Sequence, residues 1–351
     1  MKTTGAAWAW DTLTSMGTEV VFGIPGGAIL PLCDAMVNRA HEVPLVVTRN
    51  EAAAVHAADG YARASGKPGV VIVTSGPGGS NALTGLVTAM TDSTPLVVII
   101  GQVPMALIGT DAFQESDLFA MTMPVVKHSW RITRVEDVGP ILREAYAAAQ
   151  SGRPGPVVVE FPKNVQFDAV DVQEDPEKAA MPSKSYRSNA LTWSRIQAQM
   201  KKAQRPLLYI GGGVTMSDTT PLIVELAERY DCPVVTTLMG VGAFPGSHPL
   251  LLGMVGMHGT WTSNQAMQAS DLVIALGVRF DDRVTGKLDE FAPHAHIIHV
   301  EVDPAEIGKL VRPDIAIQGD LREVMPDFVR HAPQKAHDLW RKELEDWQQN
   351  H

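Results

Sequence analysis

The sequence predicts an α/β protein made of two doubly wound parallel-sheet domains in succession. Three observations carry this. Short, fully apolar runs alternate with segments of helical period, the pattern of strands covered on both faces and joined by helical crossovers. The alternation lapses between about residues 164 and 190, where charge, Pro and Ser dominate (DVQEDPEKAAMPSKS), and then resumes. The length, 351 residues with 45% hydrophobic content, suits two domains and supplies core for both. The boundaries expected are a first domain over 1–165, a linker over 166–190, a second domain over 191–333 and a closing helix over 334–351.

Taken in order, residues 4–16 predict a helix with Trp8 and Leu13 on its apolar side, 19–22 a strand, 23–27 a turn and 28–38 a helix. The run 44–48 reads as a buried strand, and the alanine-rich 51–64 as a helix stopped by Gly66 and Pro68. A buried strand follows at 70–74, a helix at 81–90 and a strand at 95–100. Residues 101–113 are loop-like; 125–126 and 130–133 look extended; 138–150 is helical and 157–161 a strand. In the second half, helices are expected at 193–203, 220–230, 321–331 and 335–349. Strands are expected at 206–210, 233–237, 271–276, 296–302 and 315–317, with a glycine turn at 211–213. Leu339, Trp340, Leu344 and Trp347 form one apolar stripe, read as a docking surface.

The stretch 48–85 concentrates the chemistry. Glu51 sits alone at a helix start after a strand, and the next strand ends in Ser75-Gly76-Pro77-Gly78-Gly79-Ser80-Asn81. Strand-to-helix junctions of this kind are where open α/β sheets bind ligands. A glutamate there also complements the helix dipole, and Pro25-Gly26-Gly27 also serves as an ordinary tight turn. The net charge of −10 argues against nucleic acid or an anionic membrane surface. No apolar run reaches the ~18 residues of a membrane helix. Cys33 and Cys232 read as reduced, buried thiols of a cytoplasmic protein. His294, His296 and His299 lack zinc-site spacing, and no metal ligands are expected in this chain.

The motifs FGIPGGAILPLCDA, RNEAAAVHAADGYARASG, TSGPGGSNALTG, IGTDAFQE, SGRPGPVVVEFPK, YIGGGV, LGMVGMHGT, LGVRFDDRVTG and HVEVDPAEIGK occur in that order over nearly the whole chain. Together they resemble the large catalytic subunit of acetolactate synthase, a transferase of the thiamine-diphosphate enzymes. The resemblance implies a pyrimidine-binding first domain and a Rossmann-like, FAD-binding central domain. It also implies a third domain, outside this sequence, that holds the diphosphate and Mg²⁺ through a GDG…N motif. It implies decarboxylation of pyruvate and carboligation to a second 2-ketoacid in branched-chain amino-acid biosynthesis, by a homodimer or homotetramer with a possible small regulatory subunit. A catalytically incomplete FAD-binding fragment and a related glyoxylate-type carboligase are the alternatives.

Residue by residue, the resemblance gives Glu51 the family's catalytic role: it hydrogen-bonds the thiamine pyrimidine and promotes loss of the thiazolium proton. Pro25, Gly26, Thr74, Pro77 and Asn81 line the pyrimidine pocket, with Gly27 near the reacting carbonyl. Phe113, Gln114 and Lys163 fall near the substrate, the aromatic ring for a methyl group and the lysine for a carboxylate. For the flavin it implies Arg153, Gly211, Gly212, Gly213, Thr237, Leu238, Met239, Gly256, Met257, His258, Gly277, Arg279, Asp281, Arg283, Val284, Glu301, Gly319 and Asp320. Two positions depart from the family pattern: Asn50 where His is usual, and Ile24 where Tyr is frequent.

Overall fold

The computed structural model describes residues 2–37, 41–172 and 186–351. The chain divides into two compact units, Met1–Ser183 and Lys184–His351.

The first unit is built on a six-stranded, all-parallel sheet. Across it run Leu45–Val47, Val21–Gly23, Gly69–Val73, Leu96–Gln102, Pro156–Pro162 and His128–Arg131. In chain order this is 2-1-3-4-6-5, so the winding reverses between Val21–Gly23 and Gly69–Val73. Gly69–Val73 and Leu96–Gln102 are buried at every residue, as β-branched runs between two helical layers require. The helix Glu51–Ser65 starts at Asn50, whose side chain accepts from Ala52 N, and stops at Gly66 with φ 72°. It packs on the helix Pro77–Asp92 through Ala54, Val55 and Ala58 against Ala82, Leu86 and Ala89. Gly85 permits that approach: a Cβ there would lie 2.5 Å from Val55 Cβ.

Several expectations need correction. The run 44–48 is not a buried strand. Leu45–Val47 is the sheet edge, and Val47 is 61% exposed. The helix expected from 81 begins at Pro77, whose missing N–H belongs to a helix start anyway. Of the two residues expected to be extended at 125–126, Val125 closes the 3-10 turn Met123–Val125 and Val126 is extended. Trp10, not Trp8, anchors the first helix, and its indole Nε1 donates to Leu32 O at 2.6 Å. The linker expected from 166 starts with ordered structure. Lys163–Phe167 is a helix, and Ala169–Asp171 pairs antiparallel with Lys2–Thr4, an element the sequence did not reveal. Of that linker, residues 173–185 lie outside the described residues. Cys33 is half-buried with its thiol pushed up to about 11 by burial, whereas Cys232 is fully buried.

The second unit carries another six-stranded parallel sheet. Its order is Leu251–Met254, Val234–Thr236, Pro206–Ile210, Leu272–Leu276, His296–Glu301 and Ile315–Gln318. In chain order this is 3-2-1-4-5-6, the dinucleotide-binding arrangement, with its switch point between Pro206–Ile210 and Leu272–Leu276. The strand Leu251–Met254 and the helix Trp261–Ala269 were not expected from the sequence. The segment 211–213 is less a turn than the start of the short helix Gly212–Met216. The last helix, Asp338–Asn350, buries Trp340 and Leu344 in this unit's own core, and Trp340 Nε1 donates to Pro206 O at 3.1 Å. Leu339, expected on that stripe, is 88% exposed. Among the described residues no helix is long and apolar enough to cross a membrane.

Burial holds His299 and His337 below the ordinary histidine range. Each rests one ring nitrogen on a backbone carbonyl, Val278 O at 2.9 Å and Asp231 O at 3.2 Å, and leaves the other unpartnered. A histidine held below its unfolded value stabilises the fold while neutral, and that contribution fades as pH falls below the ordinary histidine value of about 6.5. Thermal unfolding of this unit is therefore expected to weaken from about pH 7 to about pH 5, by at most about 1.4 kcal/mol per pH unit per histidine. His337→Gln should flatten that slope; an unchanged slope would remove His337 from the account.

Candidate cofactor sites at the sheet switch points

In the first unit, the turns after the two strands at the reversal interlock. A Cβ on Gly26 would stand 2.6 Å from Thr74 Cβ, and one on Gly78 would stand 2.8 Å from Thr74 Cγ2. Thr74 Oγ1 accepts from Ala28 N at 3.2 Å and ties the two turns together. Gly26, Thr74 and Gly78 thus form a tightly packed cradle, and larger residues at the glycines would collide with Thr74. Gly27 faces open space, with nothing within 4 Å of where its Cβ would be. Glu51, after the neighbouring edge strand, is the first residue of its helix. Its Oε2 accepts from Asn81 Nδ2 at 2.9 Å, and its Oε1 would lie 3.7 Å from a Cβ on Gly78. Glu51, Gly26, Thr74, Gly78 and Asn81 are therefore brought together at the carboxyl end of the sheet, flanked by Pro25 and Pro77.

Asn50, one of the two departures, is accounted for locally. Its Oδ1 accepts from Ala52 N at 2.8 Å, which fixes the first turn of the helix that presents Glu51.

The loop carrying Phe113 and Gln114 joins this site through its backbone. Gln114 has φ 59°, and Gly76, with φ 56°, lies so close that a Cβ would be 2.6 Å from Gln114 O. Phe113 is 88% exposed. Lys163 opens the helix Lys163–Phe167, directly after Pro156–Pro162. Arg153 lies in the first unit, apart in sequence from the other flavin candidates. Its guanidinium donates to Ser93 Oγ (2.8 Å), Thr91 O (3.2 Å) and Met90 O (3.3 Å), at the end of the helix Pro77–Asp92.

In the second unit the flavin candidates fall at the carboxyl ends of all six strands. Gly211 and Gly277 sit at the switch point itself. A Cβ on Gly211 would be 2.3 Å from Gly277 O, one on Gly213 would be 2.7 Å from Gly277 Cα, and Gly277 has φ 59°. Gly212 lies against Met239, where its Cβ would be 3.2 Å from Met239 Cβ. Thr237 Oγ1 accepts from Gly240 N at 3.0 Å, and Leu238 is exposed. Gly256, at φ 108°, is gripped by Asn264 through both its N–H (2.8 Å) and its C=O (3.0 Å). Met257 N donates to Arg283 O at 2.7 Å, so the segment with Met257 and His258 and the one with Arg283 and Val284 meet.

The charged candidates already have partners. Arg279 pairs with Asp281 at 3.2 Å, and Asp281 also caps the helix Asp282–Thr285. Glu301 is buried, and its Oε1 accepts from Val302 N (2.9 Å) and Asp303 N (3.1 Å). Gly319 packs under Tyr186, and Asp320 caps the helix Leu321–His331 while pairing with Arg322 at 2.8 Å.

Sequence reasoning missed four polar residues of the first unit. Gln166 is fully buried. It donates to Ala28 O (2.8 Å) and Phe161 O (2.7 Å) and accepts from Leu32 N (3.2 Å). Gln102 and Glu160, both buried, form a second polar group at the strand ends with the half-buried Arg131. The lone acid in the apolar run Val157-Val158-Val159-Glu160-Phe161 was the available signal for them. Among the described residues no group of three or more His, Cys, Asp or Glu is placed to hold a metal ion.

Comparison with known proteins agrees with the two switch points. Residues 3–121 match the thiamine pyrophosphate enzyme N-terminal TPP binding domain, and 194–328 match the thiamine pyrophosphate enzyme central domain. The chain is similar to the acetolactate synthase large subunit of Parasynechococcus marenigrum (strain WH8102), 46% identical over 355 residues, which cover 98% of this chain and 57% of the relative. It is 43% identical over 351 residues to the acetolactate synthase isozyme 2 large subunit of Escherichia coli (strain K12), with 99% and 60% covered. The probable acetolactate synthase large subunit of Methanocaldococcus jannaschii is 45% identical over 329 residues, with 93% and 55% covered. The chain thus spans somewhat over half the length of these relatives. With both of its units matched and both sheets wound accordingly, the chain belongs to the thiamine pyrophosphate enzyme family, as its N-terminal and central domains.

Proposed function

We propose that this chain supplies the aminopyrimidine-binding and flavin-binding domains of an acetolactate synthase. The observation that carries this is Glu51, held by Asn81 beside the Gly26–Thr74–Gly78 cradle at the switch point of the first sheet. A helix-start carboxyl there can exchange a proton with a ring nitrogen laid into the cradle. Asn81 fixes the direction of that carboxyl. Gly27, with open space before it, can turn its backbone N–H toward a substrate oxygen as charge develops. Phe113 offers an exposed apolar face to a methyl group, and the Lys163 ammonium attracts a carboxylate. Thiamine diphosphate, when bound, supplies the nucleophilic carbon that pyruvate needs to lose CO₂ and join a second 2-ketoacid. The product is 2-acetolactate, or 2-aceto-2-hydroxybutyrate from 2-oxobutanoate.

The glycines and arginines at its switch point support flavin binding by the second unit. Gly211, Gly213 and Gly277 let two strand-end turns meet backbone to backbone at the switch point, and Arg279 and Arg283 lie on the loop after Gly277, as charges that could pair with a diphosphate. A small regulatory subunit, self-association into a homodimer or homotetramer, and a Mg²⁺–diphosphate site on a further domain complete the reading.

The test is acetolactate formation from pyruvate by the polypeptide carrying this sequence, with thiamine diphosphate, Mg²⁺ and FAD supplied. Retention of flavin on gel filtration is a second readout independent of turnover. Flavin should remain bound and should be lost, by roughly tenfold or more in affinity, in Gly213→Val. A protein that neither retains flavin nor forms acetolactate would overturn the proposal.

A further inference from the structure

The buried polar group beneath the Gly109–Asp117 loop has no role in the reading above, and its geometry is directed at that loop. Register places it. Glu160 stands opposite Ile100 on one side and Arg131 on the other, and Gln102 is two residues beyond Ile100. Side chains alternate along a strand, so Glu160, Arg131 and Gln102 emerge on one face near the carboxyl ends of three adjacent strands. Glu160 is completely buried. Its Oε2 accepts from Arg131 Nε, and its Oε1 has no hydrogen-bond partner. Burial pushes its carboxyl above the ordinary range, against the pull of Arg131 and of the Gln102 side chain; Asp117 is the other charged side chain near it.

Each of its companions grips the loop or the helix that ends it. Gln102 Nε2 donates to Ser116 O at 3.2 Å, while its Oε1 is occupied by Val103 N at 2.8 Å. The Arg131 guanidinium lies over the Phe119 ring, 5.9 Å from its centre, on the short helix Leu118–Thr122. Asp117 caps that helix through Ala120 N at 3.1 Å. Above, the same loop is pinned to the cofactor turn where Gln114 meets Gly76.

We propose that Glu160 is a positioning residue: with Arg131 and Gln102 it latches the Gly109–Asp117 loop from beneath, and so sets where Phe113 and Gln114 meet a small 2-ketoacid. A fully buried carboxylate is costly unless it is paired and a neighbour needs it, and here it orients Arg131 toward Phe119. The kinetic consequence rests on the function proposed above; the latch itself does not.

The experiment compares native protein with Glu160→Gln, which keeps size and one acceptor oxygen, and with Gln102→Leu, which removes the grip on Ser116. The first readout is amide hydrogen exchange across 109–122. Both variants should speed exchange there by about tenfold, with the sheet and the Glu51–Ser65 helix unchanged. The second is a KM-against-kcat split. KM for the ketoacid should rise by about five- to tenfold while kcat and thiamine-diphosphate affinity stay within about twofold. Unchanged exchange over 109–122 in the variants, or a rise spread evenly over the whole unit, overturns the latch whether or not the protein makes acetolactate. Faster loop exchange with an unchanged KM removes the loop's role toward substrate.

Discussion

Glu51→Gln is expected to lower acetolactate formation by roughly 10²- to 10⁴-fold, the range in which a positioned acid–base group contributes. Glutamine keeps the length of the side chain and still offers an oxygen to Asn81 Nδ2, so the 2.9 Å contact survives and only the exchangeable proton is lost. Thermal stability should change by less than about 0.5 kcal/mol, since the side chain is only half-buried and the Asn50 cap remains. Flavin retention should be unaffected, because the flavin candidates at the strand ends belong to the second unit. A Glu51→Gln protein with native turnover would remove Glu51 from the chemistry.

The second large effect is on stability and comes from a residue far from Glu51 in sequence. Gln166→Leu is expected to destabilise the first unit by about 3–5 kcal/mol. The substitution fits the volume but strands Ala28 O, Phe161 O and Leu32 N, each of which Gln166 now satisfies. A buried backbone group left unpaired costs about 1–3 kcal/mol. For a unit of this size that amounts to a fall in Tm of about 10 °C. Gln166→Glu keeps the acceptor for Leu32 N but turns a buried carboxylate oxygen toward Ala28 O and Phe161 O, so it should destabilise at least as much as Gln166→Leu. Ala28 closes the Gly26–Gly27 turn, so thiamine-diphosphate affinity should weaken in parallel. A loss below about 1 kcal/mol in urea unfolding would mean that the neighbouring backbone finds other partners.

Gln166 also marks where sequence reading stopped. Strands such as Gly69–Val73 and Pro206–Ile210 are legible because continuous apolar runs, bounded by glycine and proline, match only buried parallel strands. Both switch points were indicated by glycines placed directly after such runs. Polar residues buried by distant partners leave no such pattern. Gln166 lies next to a charged segment and reads as linker, yet its three bonds reach Ala28, Leu32 and Phe161. Glu160 stands out as an acid in an apolar strand, but its partner Arg131 becomes visible only once the register of two parallel strands is known. Edge position is equally silent: Leu45–Val47 has the composition of a core strand and lies at the margin because of strand order, which composition does not encode.

Capping roles are equally silent in the sequence. Asp281 and Asp320, taken from sequence as flavin contacts, also start the helices Asp282–Thr285 and Leu321–His331. Arg153, taken as a flavin anchor, donates to carbonyls at the end of the helix Pro77–Asp92. Sequence resemblance transfers a residue's identity, whereas its hydrogen-bond partners have to be read from the fold.

The central claim is that Glu51, held at the first switch point, moves a proton for bound thiamine diphosphate. Its most direct test is the rate at which the thiazolium C2 proton of thiamine diphosphate exchanges with D₂O, followed by NMR in the presence of the polypeptide carrying this sequence. The account predicts that the native protein accelerates exchange well above the rate of the free cofactor and that Glu51→Gln abolishes most of the acceleration. Equal acceleration by the native protein and by Glu51→Gln would contradict it.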